Sequence, residues 1–143
     1  DIKSTVITIV FKLQQKKYHQ SISYFKQAVE AQPGNCKFYS GLGIALMSID
    51  RINDAEKVLK TAVALEPKNP HTHSNMGALF WEKGNVEDSQ KSCLTALSFM
   101  PDHQKAKLMM IRTFEAHNPD QGVNFPTVLA NREIRKINFH LIF

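Results

Sequence analysis

The sequence predicts an all-α chain, a right-handed α-solenoid of stacked antiparallel helix pairs with an irregular C-terminal tail, and three observations carry that prediction. The first is a period. Pro33, Pro67 and Pro101 stand at one constant interval, Ala28, Ala62 and Ala96 keep the same interval, and so do Gly43 and Gly77. A fixed period of this length marks a stacked-repeat architecture. The second is the apolar spacing within each period, which follows the three-and-four step of a helix rather than the alternation of a strand. The third is the placing of small residues. Gly43 and Ala55 fall where the two helices of one pair cross, and Ala62 where the second helix meets the next unit. A missing or minimal side chain there lets the axes approach closely.

The first unit, residues 2–35, ends in "YHQSISYFKQAVEAQP", whose Tyr18, Ser21, Phe25 and Ala28 suit the second helix of a pair. The stretch before it, "STVITIVFKLQQ", places Thr8, Ile9 and Lys12 on the core slots at strict register. A turn one residue shorter brings Val6, Ile9, Val10 and Leu13 there instead, so a first helix is expected. The β-branched run "TVITIVF" keeps a strand as the alternative.

The second unit, 36–69, is the clearest. Tyr39, Leu42, Gly43 and Leu46 form one stripe and Ala55, Val58, Leu59, Ala62 and Val63 another, with Asp50 and Arg51 between them and Pro67 closing the second helix. The third unit, 70–103, opens on Pro70, where a missing N–H does no harm. Its "SNMGALFWEKGN" sets Phe80 in the slot inside the pair and turns Trp81 toward the inner wall. The partial fourth unit, 104–117, offers Met110, Ile111 and Phe114 as core. Beyond it Pro119, Gly122 and Pro126 break the pattern. Residues 118–143 therefore read as a capping or irregular segment. "VLANREIRKINFHLIF" suits a displaced capping helix, while "KINFHLIF" alternates like a strand.

These positions resemble the tetratricopeptide repeat, whose unit of ~34 residues reads aromatic, Leu-Gly, Tyr, then Ala, aromatic, Ala and Pro. In the unit starting at Cys36 the matching residues are Tyr39, Leu42, Gly43, Leu46, Ala55, Leu59, Ala62 and Pro67. In the next they are His73, Met76, Gly77, Phe80, Ser89, Cys93, Ala96 and Pro101. The resemblance covers residues 2–117, about three to three and a half repeats, most strongly 18–117. It implies a concave groove that binds a peptide segment or a partner helix. Chaperone-binding members use a carboxylate clamp; the aligned positions here are Ser40, Ile44, Asn75, Lys105 and Met109, of which only Asn75 and Lys105 match. An asparagine ladder of the O-linked GlcNAc transferase type would need Asn at Gly41 and Met109 as well as at Asn75, so a single rung is present.

By register the groove-facing candidates are Lys37, Ser40 and Ile44 in one unit, His71 and Asn75 in the next, and Lys105 and Arg112 in the third, with Ser74, Leu108 and Met109 in the same rows. Trp81 joins them, since a half-exposed indole pairs a large apolar face with an N–H donor. The wall is weakly basic with apolar patches and suits a protein or peptide carrying an acidic group and one or two apolar anchors. Arg112 is the better of its cations for a bidentate contact.

The rest excludes more than it identifies. A formal charge of +5 is a mild bias toward acidic partners, and no basic run with interleaved aromatics points to nucleic acid. Cys36 and Cys93 lie far apart in the chain with no metal-type spacing and read as reduced thiols, so the cytoplasm is expected, with the nucleus as the alternative. No apolar run approaches the ~20 residues of a membrane span. "SGLGIA" sits inside a helical pattern and is no phosphate loop. His71 and His73, two apart, splay on a helix, so His73 reads as the aromatic filler of its slot. No catalytic set, metal site or cofactor is expected. The function predicted is a protein–protein interaction scaffold. The alternatives are the recruiting arm of a larger enzyme, such as a glycosyltransferase, and a helical-repeat nucleic-acid binder.

Overall fold

The computed structural model describes residues 2–117. Every regular element among them is a helix: α1 (Ile2–Ala31), α2 (Cys36–Ser48), α3 (Ile52–Leu65), α4 (Pro70–Glu82), α5 (Val86–Phe99) and α6 (Gln104–His117). The all-α expectation holds, and "TVITIVF" is helical. The competing readings of the tail, 118–143, lie outside the described residues. The chain divides into two compact units, Asp1–Leu65 with α1 to α3 and Glu66–Phe143 with α4 to α6.

The helix boundaries follow from turn chemistry that repeats with the period. Asn35, Asn69 and His103 each donate a backbone N–H to the carbonyl three residues back, on Gln32, Glu66 and Met100, at 3.1 Å in all three cases. Pro33, Pro67 and Pro101 occupy the second position of these turns, where the ring presets φ. The residue closing each turn then caps the following helix. Asn35 Oδ1 accepts from Lys37 N at 3.1 Å, and Asn69 Oδ1 from His71 N at 3.0 Å. Within the α2–α3 and α4–α5 pairs the chain reverses through one left-handed residue, Asp50 at φ 64° and Gly84 at φ 75°. The two stand one period apart.

That last feature explains where the expected organisation fails. Residues 2–35 do not form a helix pair; α1 is one continuous helix of 30 residues. The register counterpart of Asp50 and Gly84 is Lys16, inside "LQQKKYH", which holds no Gly, Asn, Asp or Pro. Nothing there favours a left-handed residue or stops a helix, so the helix runs through.

In the first unit Ala55, Leu59 and Ala62 are fully buried, and a β-carbon on Gly43 would stand 2.6 Å from Leu59 Cγ. α1 rests on α2, with Phe25 over Gly41 and Ile22 as its one buried residue among those described. In the second unit Ser89, Cys93 and Ala96 are fully buried in the same slots. Ser89 Oγ donates to Gly77 O at 2.7 Å, pinning α5 to α4 at the close crossing. From α6, Met110 and Phe114 are buried and Ile111 half-buried. Leu79, not Phe80, is the fully buried member of "LFW", because it completes the buried row Thr72, Met76, Leu79 at helical spacing; Phe80 and Trp81 are both half-buried.

Candidate functional site

In the first unit α2 carries Lys37, Ser40 and Ile44 along one row; Lys37 and Ile44 are exposed and Ser40 is half-buried. In the second unit two helices contribute. α4 carries His71 and Asn75, one turn apart, and α6 carries Lys105, Leu108 and Arg112 at steps of three and four. Lys105, Leu108 and Arg112 are exposed, Leu108 by 60%. Trp81 is half-buried, and by helical register its side chain points roughly 100° away from the His71–Asn75 row. Two other residues of the expected wall are not open. Ser74 is fully buried with no hydrogen-bond partner for its Oγ, and Met109 is 7% exposed.

The two helices are joined by a hydrogen bond between expected site residues: Lys105 Nζ donates to Asn75 Oδ1 at 2.6 Å. An ammonium only donates, so the acceptor must be the amide oxygen, which fixes the orientation of the Asn75 side chain. The amide N–H groups are the part of Asn75 that can serve a partner. Asn75 itself is only 6% exposed and forms the floor of the face rather than a free rung. Lys105 keeps an exposed stem, but burial of its ammonium draws the pKa below the usual lysine value. Next to it, burial pushes the Cys93 thiol up to about 12, so this cysteine is an inert core residue.

A second junction joins His103 to His71, with His103 Nε2 and His71 Nδ1 2.9 Å apart and the ring centroids at 4.8 Å. His103 Nδ1 also accepts the backbone N–H of Ala106 at 3.2 Å. It thereby caps α6 as Asn35 and Asn69 cap α2 and α4. That leaves the His103 proton on Nε2, donated to His71 Nδ1, an arrangement that uses the Nε2–H tautomer of each ring. Sequence reasoning missed His103. Its signal was available, since it is the third member of the series Asn35, Asn69, His103. His71 and His73 act separately, as their spacing implied. His73 Nε2 donates to Pro67 O at 2.6 Å, and its ring lies 5.8 Å from that of Phe99. His71 also borders an open depression formed by the Glu66–Pro70 turn and Met100.

This cap makes stability depend on pH. Burial, and then the His71 ring, lower the pKa of His103 below its ordinary value, so the folded state prefers the neutral ring. Its contribution is present above the unfolded pKa of about 6.5 and is lost as pH falls below it. Thermal melts should therefore show a lower Tm at pH 5 than at pH 7.5. His103→Asn, which restores the cap residue of the other units, should flatten that difference. An unchanged pH profile in the variant would contradict the assignment.

A sequence model of the tetratricopeptide repeat matches residues 12–79. No curated protein matches the chain. Among solved structures, the first tetratricopeptide domain of Spaghetti (RPAP3), bound to an HSP90 peptide, superposes with a TM-score of 0.67 at 22% identity, covering 73% of this chain and 83% of that one. The OM64 tetratricopeptide domain from Arabidopsis gives 0.67 at 16% identity, covering 73% and 86%. The type III secretion chaperone SycD of Yersinia enterocolitica, in complex with a peptide of the translocator YopD, gives 0.63 at 14% identity, covering 82% and 99%. The constant period, the helix pairs closed over Gly43 and Gly77, and these matches agree: residues 12–79 match the tetratricopeptide repeat, and the described residues take the fold of tetratricopeptide repeat domains.

Proposed function

We propose that the chain is a protein-interaction module whose α4–α6 face binds a peptide segment or partner helix carrying an acidic group and one or two apolar anchors. The observation that carries this reading is the Lys105–Asn75 junction. It fixes a partly desolvated cation on the floor of a face bordered by exposed Arg112 and Leu108, with half-buried Trp81 on the flank of α4. A charge already stripped of part of its water interacts more strongly with an incoming carboxylate than a fully hydrated one. Two of the similar structures hold peptides, which supports the class of ligand. Their sequences do not transfer, because Ser40, Ile44 and Met109 stand where a carboxylate clamp needs Lys, Asn and Arg. No helix among the described residues is long and apolar enough to cross a membrane.

The test is fluorescence polarisation against synthetic peptides that pair Glu or Asp with Leu or Phe, with Lys-substituted versions as controls. Trp81→Ala together with Arg112→Ala should weaken binding of the acidic peptides at least tenfold, about the effect of losing one interfacial hot spot. Helical content and Tm should stay near the parent's, since Arg112 is exposed and Trp81 half-buried. A double variant that binds as well as the parent, or that unfolds, would remove this face from consideration. Preference for the Lys-substituted peptides would overturn the expected charge of the partner.

A further inference from the structure

The turns that lead into α2, α4 and α6 differ in one side chain. In the first, Asn35 caps α2 and turns its Nδ2–H onto Gln32 Oε1 at 3.1 Å. In the second, Asn69 caps α4 and donates to Glu66 Oε2 at 2.7 Å. Each of these caps is clasped to its own turn. The third turn sets Met100 where Gln32 and Glu66 stand. A thioether is only a weak acceptor. The spare N–H of the third cap, His103 Nε2, instead crosses to His71 Nδ1 on α4 at 2.9 Å. The cap of α6 is therefore tied to a neighbouring helix, with a titratable ring at each end of the bond. His103 is 7% exposed, whereas His71 is open to solvent and borders the depression at the Glu66–Pro70 turn.

We propose that the His71–His103 pair is a proton-operated latch, which holds the start of α6 on α4 while both rings are neutral and opens when the pair takes up one proton. Two hydrogen bonds run in series: Ala106 N–H donates to His103 Nδ1 at 3.2 Å, and His103 Nε2–H donates to His71 Nδ1. Both acceptor nitrogens of the pair are then in use, and the remaining ring nitrogen, His71 Nε2, already carries its hydrogen. An added proton has no vacant site. On His71 Nδ1 it sets one N–H against the N–H of His103. Moving the His103 hydrogen from Nε2 to Nδ1 repairs that contact but sets it against the Ala106 N–H. A proton placed on His103 Nδ1 does so directly. Either the tie to α4 or the cap of α6 is lost. The surroundings favour the closed form. Burial, then the His71 ring, disfavour a charge on His103, and Lys105 adds to them; its own backbone and Asp102 oppose them, and the net direction is toward the neutral ring. Cys93 of α5 stays a neutral thiol in this range, and Glu66 and Lys68, of opposite sign, line the turn beside His71. The latch is therefore closed above the ordinary histidine value of about 6.5 and opens as pH falls below it. Lys105, the second residue of α6, reaches Asn75 across the same gap between α4 and α6, at 2.6 Å. Release of the helix start frees that bond too, so the latch sets the pH range over which the α4–α6 face is assembled.

Nitrogen-15 NMR spectra of the 143-residue chain at pH 7.5 should show the Nε2–H tautomer in both rings. On titration to pH 5, the ring nitrogens of His71 and His103, the Ala106 amide and the Asn75 side-chain amide should move with one shared midpoint below about 6.5. Hydrogen exchange, corrected for the pH dependence of the chemical step, should show the amides of residues 107–111 losing protection about fivefold, the effect of losing one helix cap. The amides of α2, capped by Asn35, should keep theirs. Met100→Gln together with His103→Asn, which rebuilds the clasp of the first turn, should abolish both responses. Equal loss of protection in α2 and α6, an Ala106 or Asn75 amide that ignores pH, His103 carrying its hydrogen on Nδ1 at pH 7.5, or a pH response that survives the double substitution would each overturn the latch. Should the double variant not fold, the spectra and exchange of the parent decide by themselves.

Discussion

Gly77→Leu is expected to unfold the second unit, and even Gly77→Ala to cost about 1–3 kcal/mol, the usual range for overpacking a tight core. A β-carbon at this position would stand 2.5 Å from Cys93 Sγ and 3.3 Å from the Ser89 carbonyl oxygen. Neither neighbour has room to retreat. Cys93 and Ser89 are both fully buried, and Ser89 Oγ is bonded to the Gly77 carbonyl itself. Because the obstruction is mainly one sulfur atom, the effect should be coupled to that atom. In urea melts of Gly77→Ala, Cys93→Ala and the double variant, the added methyl should occupy space the thiol vacates. The double variant should then be more stable than the sum of the singles predicts, by about 1 kcal/mol or more. Additive costs would mean that close approach of the backbones, not the thiol, sets the requirement for glycine.

The same crossing shows what was legible in the sequence. Gly43 and Gly77 could be read because glycine in a helix interior is disfavoured unless something approaches closely, and two of them one period apart name the approach. Asn75 and Lys105 could each be placed on the inner row of its own helix from the repeat register, whereas their meeting at 2.6 Å is a contact between two helices that no single helix encodes. Other features were hidden for physical reasons. The repeat template implied a turn near Lys16, but a period records where a turn would stand, not whether the local residues can make one. Ser74 and Met109 sit beside open positions on the helical wheel. Which flank of a row is covered depends on how closely the next helix packs, and no single helix encodes that. His103 was masked by chemistry, since an imidazole in a series of asparagines reads as an interruption until its Nδ1 is seen accepting the same kind of bond.

Leu59→Ala should be the most damaging single truncation in the first unit, at about 2–5 kcal/mol, because Leu59 is fully buried and its methyl groups lie where a Gly43 side chain would otherwise be. Its register partner in α1 is Phe25, a larger side chain that would cost more if size alone decided. Cover decides instead. Phe25 packs over Gly41 on one side and is open on the other, so in dilute solution Phe25→Ala should destabilise the chain less than Leu59→Ala does. Urea melts of the two variants should therefore give the larger loss for Leu59→Ala. An equal or larger loss from Phe25→Ala would mean that its contact with α2 alone counts for as much as full burial.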